Sequence, residues 1–345
     1  MTKTDIVESE REMARPTITI VGLGLVGTSV GLALSRERQD EFDIIGHDKD
    51  FGRARQVRKQ GAVNKLDWNL ISACEKADMI IIATPLDGVR ETLQLTGDYL
   101  STGCVVIDTA NLKGPVMGWA EEYLPDSVSF VGTNPIISPV AQGVEAATPD
   151  LFQNALWCVF PAANATPEAV KLVADMIHLL GAKPYFLDPS EHDGLAAGIE
   201  HVPSVLSAAL LRMTFGSDVW KEMRKLAGTS YETTTLLPTY EAGFYRDIFL
   251  HNRDNVLRWL DSYVEELRSL RELIAAGDAE ELAEAFDKAV DARILWLEQR
   301  KEGYPDIVVE KPELPTMGGF VGNLLGLGAF RRPKRGKKRK EKSER

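Results

Sequence analysis

The chain has 345 residues, of which 44% are hydrophobic and 26% are charged, and its formal net charge is −11. This length allows two domains with substantial cores, and the composition is typical of a globular protein. The segment Arg331–Arg345 carries a net charge of +8, so the remainder carries −19. An acidic body argues against nucleic acid as the main partner. We expect the basic tail to be a solvated, disordered end, with a contact to RNA or anionic lipid as the alternative.

The three cysteines indicate a reducing compartment. Cys74, Cys104 and Cys158 lie far apart and have neither a metal-ligand nor a disulfide-framework spacing. Residues 1–15 are polar, lack the apolar core of a signal peptide and are expected to be disordered. No apolar run is expected to reach membrane-spanning length. These features predict a cytoplasmic protein with no bound metal and no membrane partner.

The first strong signal in chain order is a glycine pattern between a strand and a helix. The β-branched run Thr17–Val21 predicts a buried strand, and apolar residues at helical spacing follow the glycines. In this G-x-G-x-x-G motif, Gly22 permits a tight turn, Gly24 lets a pyrophosphate approach the backbone, and Gly27 allows close helix packing. The diphosphate is expected at the positive helix N-terminus. The alternative is a glycine-rich turn that binds nothing.

Further cofactor contacts are predicted later in the chain. Asp48 ends a second strand, 21 residues beyond the last glycine, where a carboxylate accepts hydrogen bonds from both ribose hydroxyls. A 2′-phosphate would be repelled there, so NAD is predicted in preference to NADP, although Lys49 and Arg53 weaken that preference. Thr84-Pro85 is expected against the ribose and nicotinamide, with a plain strand stop as the alternative. The predicted cofactor-binding residues are Gly22, Gly24, Leu25, Val26, Gly27, Asp48, Thr84 and Pro85.

Strands and amphipathic helices alternate as far as Leu187. This pattern predicts a Rossmann-type, doubly wound parallel sheet covered by helices on both faces, which forms a dinucleotide-binding domain over residues 16–188. The elements expected after Asp48 are helices over Phe51–Gln60, Asp87–Leu95 and Pro167–Leu180, a helix ending near Tyr123, and strands over 78–84, Cys104–Asp108, Val128–Val131, Trp157–Phe160 and Pro184–Leu187.

Beyond Asp188 the apolar residues change to helical spacing. An all-helical domain is predicted over residues 189–305, because its long segments show this spacing throughout. The apolar faces exceed what one thin layer buries, so a dimer interface is predicted, with an intramolecular core as the alternative. Residues 306–345 are expected to be disordered, with docking on the body or a mobile lid as possible roles for Gly318–Phe330. The predicted helical segments are Ser190–Leu211, Asp218–Gly228, Ala242–Ala276 and Ala279–Tyr304.

Four segments agree in order and spacing with one known family, from about residue 16 to residue 270. The first two are Val21–Ser29 and Ile107–Pro115. The third is Phe130–Pro135, followed by residues 143–147 and 151–157. The fourth is Asp188–Asp193, followed by His201-Val-Pro. In these segments the chain resembles the prephenate/arogenate dehydrogenase family, which oxidises prephenate or arogenate with NAD(P) on the route to tyrosine. The resemblance implies a Rossmann-type domain, a helical dimerisation domain and a small-molecule substrate.

Three positions depart from the family pattern. The histidine of the family's Gly-His-Pro accepts the substrate hydroxyl proton, but Asn134 stands here, and an amide takes up no proton near neutral pH. The serine before the Lys-Gly-Pro turn is Asn111. The family's Gly-Phe-Arg-Asp-Thr-Thr-Arg, whose last arginine binds a substrate carboxylate, becomes Ser230–Thr235 without either arginine. A hydroxyl does not supply that bidentate positive charge.

The remaining candidates for the substrate chemistry follow from the resemblance. His201 matches the first histidine of the family's Ser-His-Leu-Pro-His segment and is the predicted base, with Glu200 beside it; the alternative is a histidine packed between domains. Lys113 is expected to meet substrate or cofactor, or to be a solvated lysine. Asn134 is expected in the pocket, with a turn residue as the alternative. A water held by Asn134 and Asn111 is the other predicted proton acceptor.

The segment that opens the first long helix also matches the family. Within it, Glu191–Asp193 brings two carboxylates and His192 together near the predicted helix start. We interpret this group as an N-terminal charge cluster favoured by the helix dipole.

The leading hypothesis is an NAD-dependent oxidoreductase that oxidises and decarboxylates prephenate or arogenate. A second hypothesis keeps the dehydrogenase scaffold but changes the substrate to a hydroxy or amino compound without the anchored carboxylate, as the missing arginine suggests. The third is a non-catalytic NAD-sensing or interaction protein, which the missing histidine permits.

Overall fold

The computed structural model describes residues 15–37, 41–137, 143–236, 242–302 and 317–329, so the expectation for residues 1–14 lies outside the described residues. At the centre of the described chain is one eight-stranded sheet. Its strands are β1 (Thr17–Val21), β2 (Asp43–His47), β3 (Lys65–Leu66), β4 (Met79–Ile82), β5 (Val105–Asp108), β6 (Ser129–Pro135), β7 (Leu156–Pro161) and β8 (Lys183–Phe186).

The strand order is β3-β2-β1-β4-β5-β6-β7-β8, which confirms the predicted Rossmann-type topology. One part of the prediction is wrong, because β6 and β7 are antiparallel and the sheet is therefore not wholly parallel. A parallel neighbour needs a long crossover, usually an α-helix. The described residues between β6 and β7 contain only a 3-10 turn, Val144–Ala146, so the chain returns in the opposite direction.

Within the described part of this domain six helices cover the sheet, and its predicted helical segments are confirmed. The shortest strand, β3, and the shortest of these helices, Leu70–Cys74, are absent from the prediction because they are too short for a periodic signal. Asp50 begins the second helix by accepting hydrogen bonds from the Gly52 and Arg53 amides. The helices are α1 (Leu25–Glu37), α2 (Phe51–Lys59), α3 (Leu70–Cys74), α4 (Leu86–Thr96), α5 (Gly114–Tyr123) and α6 (Pro167–Leu179).

The central strands are buried on both faces. In β4, Met79 and Ile81 face one hydrophobic core while Ile80 and Ile82 face the other, and none is more than 1% exposed. This burial explains why β4 reads as a continuous apolar run rather than an alternating one. The parallel strands place their carboxyl ends at a common edge, where Gly22 and Asp48 directly follow β1 and β2 and Thr84 is the second residue after β4.

The second half of the described chain is helical, as predicted. The predicted helix over Ala242–Ala276 is interrupted at Asn252, and α10 lies where no helix is predicted. A π-helical turn, Ala197–His201, joins the first two helices of this domain. The helices are α7 (Pro189–Ala196), α8 (Val202–Phe215), α9 (Trp220–Leu226), α10 (Thr229–Thr234), α11 (Ala242–His251), α12 (Arg253–Ala276) and α13 (Ala279–Glu302).

The stretch from α7 to α8 is long and apolar. Pro189–Phe215 spans 27 residues with a mean hydropathy of 1.4, so by length and composition alone it is able to cross a membrane. The expectation that no apolar run reaches that length is therefore wrong, because the π-helical turn continues the helix through Pro203. Only 28% of the most apolar part of this stretch is buried inside the protein. Its exposed apolar side chains, 51–76% accessible, are Leu195, Ile199, Met213 and Phe215.

A C-terminal helix, α14 (Met317–Ala329), docks on the dinucleotide-binding domain. Phe320 and Leu324 are fully buried, and the Phe320 ring meets the Phe42 ring edge-on with centroids 6.4 Å apart. Asn323 Nδ2 donates a hydrogen bond to Asp175 Oδ2 at 3.1 Å. The expected disorder is thus wrong for 317–329, where one apolar helix face finds a complementary surface. The other residues of the 306–345 segment lie outside the described residues.

We predict that Phe320→Ala lowers the free energy of unfolding by about 3–5 kcal/mol, because a buried aromatic ring is removed from the α14 contact. Gly322→Ala is the matched control on the exposed face of the same helix, where nothing lies within 4 Å of an added Cβ. It is expected to stabilise the protein by about 0.5–1 kcal/mol. Urea denaturation followed by tryptophan fluorescence measures both, and equal stabilities of wild type and Phe320→Ala would contradict the docked helix.

Candidate active site

The glycine loop between β1 and α1 allows close backbone approach. Gly22 has a φ of +91°, and a Cβ there would lie 2.5 Å from the Ala83 carbonyl oxygen. A Cβ on Gly27 would lie 2.0 Å from the Gly22 carbonyl oxygen. Around Gly24, in contrast, nothing lies within 4 Å of an added Cβ. Packing within the protein therefore requires glycine at the first and third positions, whereas the space at the second position is open to a ligand.

Asp48 braces this loop. Its carboxylate is 5% exposed, and Oδ2 accepts a hydrogen bond from the Leu23 amide at 2.8 Å. Oδ1 accepts one from the Asp50 amide at 2.8 Å, and Arg53 Nη1 lies 3.4 Å from Oδ2. The Arg53 side chain is 44% exposed. Ribose binding by Asp48 stays a prediction, and the observed contacts give the carboxylate a structural role as well.

Thr84 presents an unsatisfied polar group beside the glycine loop. Its Oγ1 is buried and has no hydrogen-bond partner among the described residues. A buried hydroxyl without a partner is costly unless a ligand or water satisfies it. Pro85 precedes α4 and is exposed, while Leu25 and Val26 are half-buried at the start of α1. The open space at Gly24 and the Thr84 hydroxyl together fit a dinucleotide.

Lys113 forms a buried ion pair below the carboxyl ends of β5 and β6. Its fully buried ammonium donates hydrogen bonds to Asp108 Oδ2 and, at 2.7 Å, to the Thr133 carbonyl oxygen. Burial lowers the pKa of Lys113, and the Asp108 carboxylate opposes that shift. The alternative of a solvated lysine is therefore wrong. A role of Lys113 toward substrate or cofactor stays a prediction.

Asp193 joins the two halves of the chain at the N-terminus of α5. Its Oδ1 accepts a hydrogen bond from the Lys113 amide at 2.8 Å, and Oδ2 accepts one from the Gly114 amide at 2.7 Å. The Lys113 side chain itself does not cap the helix. A carboxylate at this position satisfies amides that have no partner within the helix and interacts favourably with its dipole. Asp193 thus caps a helix of the other domain.

His192 connects Asp193 to the end of β6. Its Nδ1 lies 2.8 Å from Asp193 Oδ1, and its Nε2 lies 3.0 Å from Asn134 Nδ2. The carboxylate accepts only, so Nδ1 carries the ring proton and Nε2 accepts from the Asn134 amide. The Phe160 ring packs edge-on against the imidazole, with centroids 5.0 Å apart. Asn134, His192 and Asp193 therefore form one buried cluster at the ligand-facing edge of the sheet.

The sequence pattern alone does not reveal this role of His192 and Asp193. It assigns them to a charge cluster at the start of a helix, whereas the true partners lie 58 to 80 positions away. The only sequence signal for a further role of these residues was the match of this segment to a family motif.

His201 lies at the end of the π-helical turn and is almost fully buried. Its Nδ1 lies 3.2 Å from Asn252 Nδ2, which also donates to the Asp193 carbonyl oxygen at 2.8 Å. Its Nε2 is buried without a hydrogen-bond partner among the described residues. Burial lowers the pKa of His201 to about 4, with Asp193 opposing the shift. This imidazole is neutral near neutral pH, and its role as the base stays a prediction.

Glu200 places a carboxylate in the same region. Burial raises the pKa of Glu200, and the His192 imidazole opposes that shift. Burial, with a smaller contribution from Glu200, raises the pKa of the Cys158 thiol to about 12. Glu200 therefore lies close to both side chains. No hydrogen bond or ion pair to its carboxylate is present in the part of the chain that the structure describes.

The other two departures from the family pattern lie apart in the structure. Asn111 is half-buried in the turn between β5 and α5. The segment Ser230–Thr235 forms most of α10, where the Tyr231 hydroxyl lies 2.7 Å from Thr214 Oγ1 at the end of α8. Among the described contacts of Asn134, His192 and Glu200, no arginine replaces the missing cation.

Two family descriptions match consecutive parts of the chain. "Prephenate dehydrogenase, nucleotide-binding domain" matches residues 30–186, and "Prephenate dehydrogenase, dimerization domain" matches residues 188–288. Their boundary lies between β8 and α7, where the sheet ends and the helices begin.

Known proteins similar to this chain carry related descriptions. A prephenate dehydrogenase of Bacillus subtilis is 29% identical over 92% of this chain and 86% of its own length. A cyclohexadienyl dehydrogenase of Zymomonas mobilis is 26% identical over 80% of this chain and 94% of its own length.

Solved structures agree with these matches. Synechocystis arogenate dehydrogenase is 26% identical, with a TM-score of 0.67 over 81% of this chain and 99% of that one. The prephenate dehydrogenase of A. aeolicus, solved with hydroxyphenyl propionate and NAD+, shares the fold at a TM-score of 0.75 with 23% identity, over 82% of this chain and 99% of that one. With both domains matched in order and the glycine loop shaped for a dinucleotide, this chain belongs to the prephenate dehydrogenase family.

Proposed function

We propose that this NAD-dependent dehydrogenase oxidises and decarboxylates arogenate in preference to prephenate. Both compounds are cyclohexadienols with a carboxylate on the ring carbon opposite the hydroxyl. Arogenate carries an ammonium group on its side chain where prephenate carries a keto group. NAD, when bound, accepts the hydride from the carbon that bears the hydroxyl. Loss of carbon dioxide then makes the ring aromatic.

The residues at the carboxyl ends of β1, β2 and β4 support binding of NAD. The open space at Gly24, next to the free amides at the start of α1, suits the diphosphate. Asp48 suits the ribose hydroxyls and disfavours a 2′-phosphate. The buried Thr84 hydroxyl would gain the hydrogen-bond partner that it lacks among the described residues.

The observation that favours arogenate is the Glu200 carboxylate. Its side chain is half-buried near His192 and Cys158, burial raises its pKa, and it has no cation partner among the described residues. A buried carboxylate is destabilised unless an opposite charge compensates it. The substrate ammonium supplies such a charge, whereas the keto group of prephenate supplies none.

The two domains divide the work in this proposal. Residues 16–188 hold NAD, and residues 189–305 complete the substrate pocket and pair two copies of the chain. The exposed apolar side chains along Pro189–Phe215 and the match to a dimerization domain both support a homodimer. The buried free thiols Cys74, Cys104 and Cys158 agree with a reducing, cytoplasmic compartment.

A different hydroxy or amino substrate is the second candidate function. The missing arginine favours it, because the anchor for one substrate carboxylate is absent from the described site. This candidate shares the NAD site and the chemistry of alcohol oxidation, so a substrate panel separates it from the first proposal.

Gly24→Ala is expected to weaken NAD binding by about tenfold or more while leaving thermal stability unchanged, because the added methyl meets only the ligand. Gly27→Ala is the contrasting variant, since its methyl would lie 2.0 Å from the Gly22 carbonyl oxygen and should destabilise the protein itself. Isothermal titration with NAD and a thermal melt measure the two effects. Unchanged NAD affinity in a folded Gly24→Ala protein would contradict the proposed diphosphate position.

Asp48→Asn is expected to improve kcat/KM for NADP by about tenfold and to reduce it for NAD, because the charge that repels the 2′-phosphate is removed. The amide oxygen still accepts the hydrogen bond from the Leu23 amide, whereas the one from the Asp50 amide is lost because the amide nitrogen only donates. A thermal melt therefore accompanies the kinetics to show that the variant is folded. In this background, Arg53→Ala should abolish the gain, since Arg53 is the adjacent cation. An unaltered cofactor preference in Asp48→Asn would refute this assignment.

Glu200→Gln is expected to raise KM for arogenate by about tenfold or more and to leave KM for prephenate unchanged, because one charged hydrogen bond to the ammonium is lost. Glu191→Gln, which alters an exposed carboxylate on α7, is the matched control. NADH absorbance with each substrate provides the measurement. A wild-type preference for prephenate would overturn the substrate choice, and NAD binding without turnover on either compound would favour another substrate or a sensing protein.

A further inference from the structure

We propose that His192 is the catalytic base that accepts the substrate hydroxyl proton, and that Asp193 is its positioning residue. The inference rests on the proposed dehydrogenase function, because oxidation of an alcohol needs an acceptor for the hydroxyl proton. The sequence pattern alone had assigned His192 to an N-terminal charge cluster rather than to catalysis.

The geometry of His192 is that of an oriented base. Its Nδ1 faces Asp193 Oδ1 at 2.8 Å, and Asp193 is itself held by the Lys113 and Gly114 amides. A carboxylate in this position fixes the ring tautomer and stabilises the imidazolium that forms on protonation. The lone pair of Nε2 is therefore directed away from Asp193, toward the end of β6.

Asn134 permits both protonation states of that ring. Its Nδ2 lies 3.0 Å from His192 Nε2 and donates to it while the imidazole is neutral. Rotation of the same amide presents Oδ1, which accepts from Nε2–H once the ring is protonated. Neither a fixed cation nor an acceptor-only carboxylate would allow this exchange. Nε2 thus becomes available to a substrate hydroxyl when the Asn134 amide turns.

Other titratable groups near the cluster are poorer candidates. Lys113 is held by Asp108 and has no acceptor site while protonated. Burial raises the pKa of the Cys158 thiol to about 12, so it is not ionised near neutral pH. Burial lowers the pKa of His201 to about 4, so this imidazole is a weak base. His201 Nε2 is instead suited to hydrogen-bond a substrate group, since it lacks a partner among the described residues.

The proton and electron balance closes with this assignment. The hydroxyl O–H bond breaks and its proton goes to His192 Nε2, while the hydride and its two electrons pass from the same carbon to NAD. The bond between the ring and its carboxylate then breaks, and that electron pair enters the ring to form a phenolate. The proton on His192 returns to the phenolate oxygen. The products are a phenol, carbon dioxide and NADH, with no net release of protons.

Several charged or titratable groups lie around the cluster of Asn134, His192 and Asp193. They come from its own helix, the π-helical turn, the β5–α5 region and β7, and they are Asp193, Glu200, His201, Asp108, Lys113 and Cys158. The pH profile must therefore be read with variants of the neighbours as well as of His192.

The test measures kcat and kcat/KM of the full-length protein against pH for wild type, His192→Asn and His201→Asn. His192→Asn is expected to lower kcat by about 10²–10⁴-fold and to lose the decline in rate that wild type shows as pH falls. NAD affinity, measured by calorimetry, should stay within about twofold, as the cofactor cradle is untouched. His201→Asn should keep the acid decline. Retention of wild-type kcat or of the acid decline by His192→Asn would overturn the proposal.

Asp193→Asn tests the positioning role. Removing the carboxylate takes away the negative charge beside the imidazolium, so the acid decline should move to lower pH while kcat falls. An unmoved profile would show that Asp193 does not act through His192. If His192→Asn fails to fold, 15N NMR titration of the wild-type histidines decides instead, because the His192 Nε2 signal must titrate with the acid decline. Absence of wild-type turnover on every substrate would reject the proposed function, whereas active wild type with unimpaired His192→Asn rejects only this inference.

Discussion

The arrangement of the site depends on the Asp193 carboxylate at the N-terminus of α5. It satisfies two helix amides from a position 79 and 80 residues away, and so attaches the helical domain to the sheet. The same carboxylate hydrogen-bonds to His192, which in turn contacts Asn134. A helix terminus is a good place for such a contact, because its amides lack partners and carry partial positive charge. The Asp193 carboxylate therefore both joins the two domains and orients the His192 imidazole.

The two halves of the site are built by different means. The cofactor half relies on backbone geometry, since Gly22 and Gly27 approach other backbone atoms too closely for any side chain. The proposed substrate half is built from side chains on β6, α5, α7 and the π-helical turn. A substitution at Asn134 or Glu200 would alter the proposed substrate half without disturbing the glycine loop. This division explains how the chain keeps the family's glycine motif while it departs from the family pattern at Asn134.

Most of the fold follows from local patterns. Continuous apolar strands, helical spacing and the glycine motif gave the strand–helix alternation and the start of the helical half. The antiparallel β7 did not follow, because its direction depends on how the chain from β6 returns rather than on its own residues. Docking of Gly318–Phe330 was one of two alternatives that the sequence left open. The choice could not be made because glycines weaken the helical signal of α14, and its stability comes from Phe320 and Leu324 meeting a surface formed elsewhere.

The sequence by itself determined the glycine loop between β1 and α1, because the spacing of Gly22, Gly24 and Gly27 acts within one strand–turn–helix unit. It also marked Asn134 as a pocket position through its family motif. Only the tertiary structure decided that Lys113 is buried against Asp108 and that His192 lies beside Asn134, 58 positions earlier in the chain. Contacts between such distant residues leave no periodic trace in the sequence. They arise when strands, helices and helix caps pack together, because only that packing brings these side chains into contact.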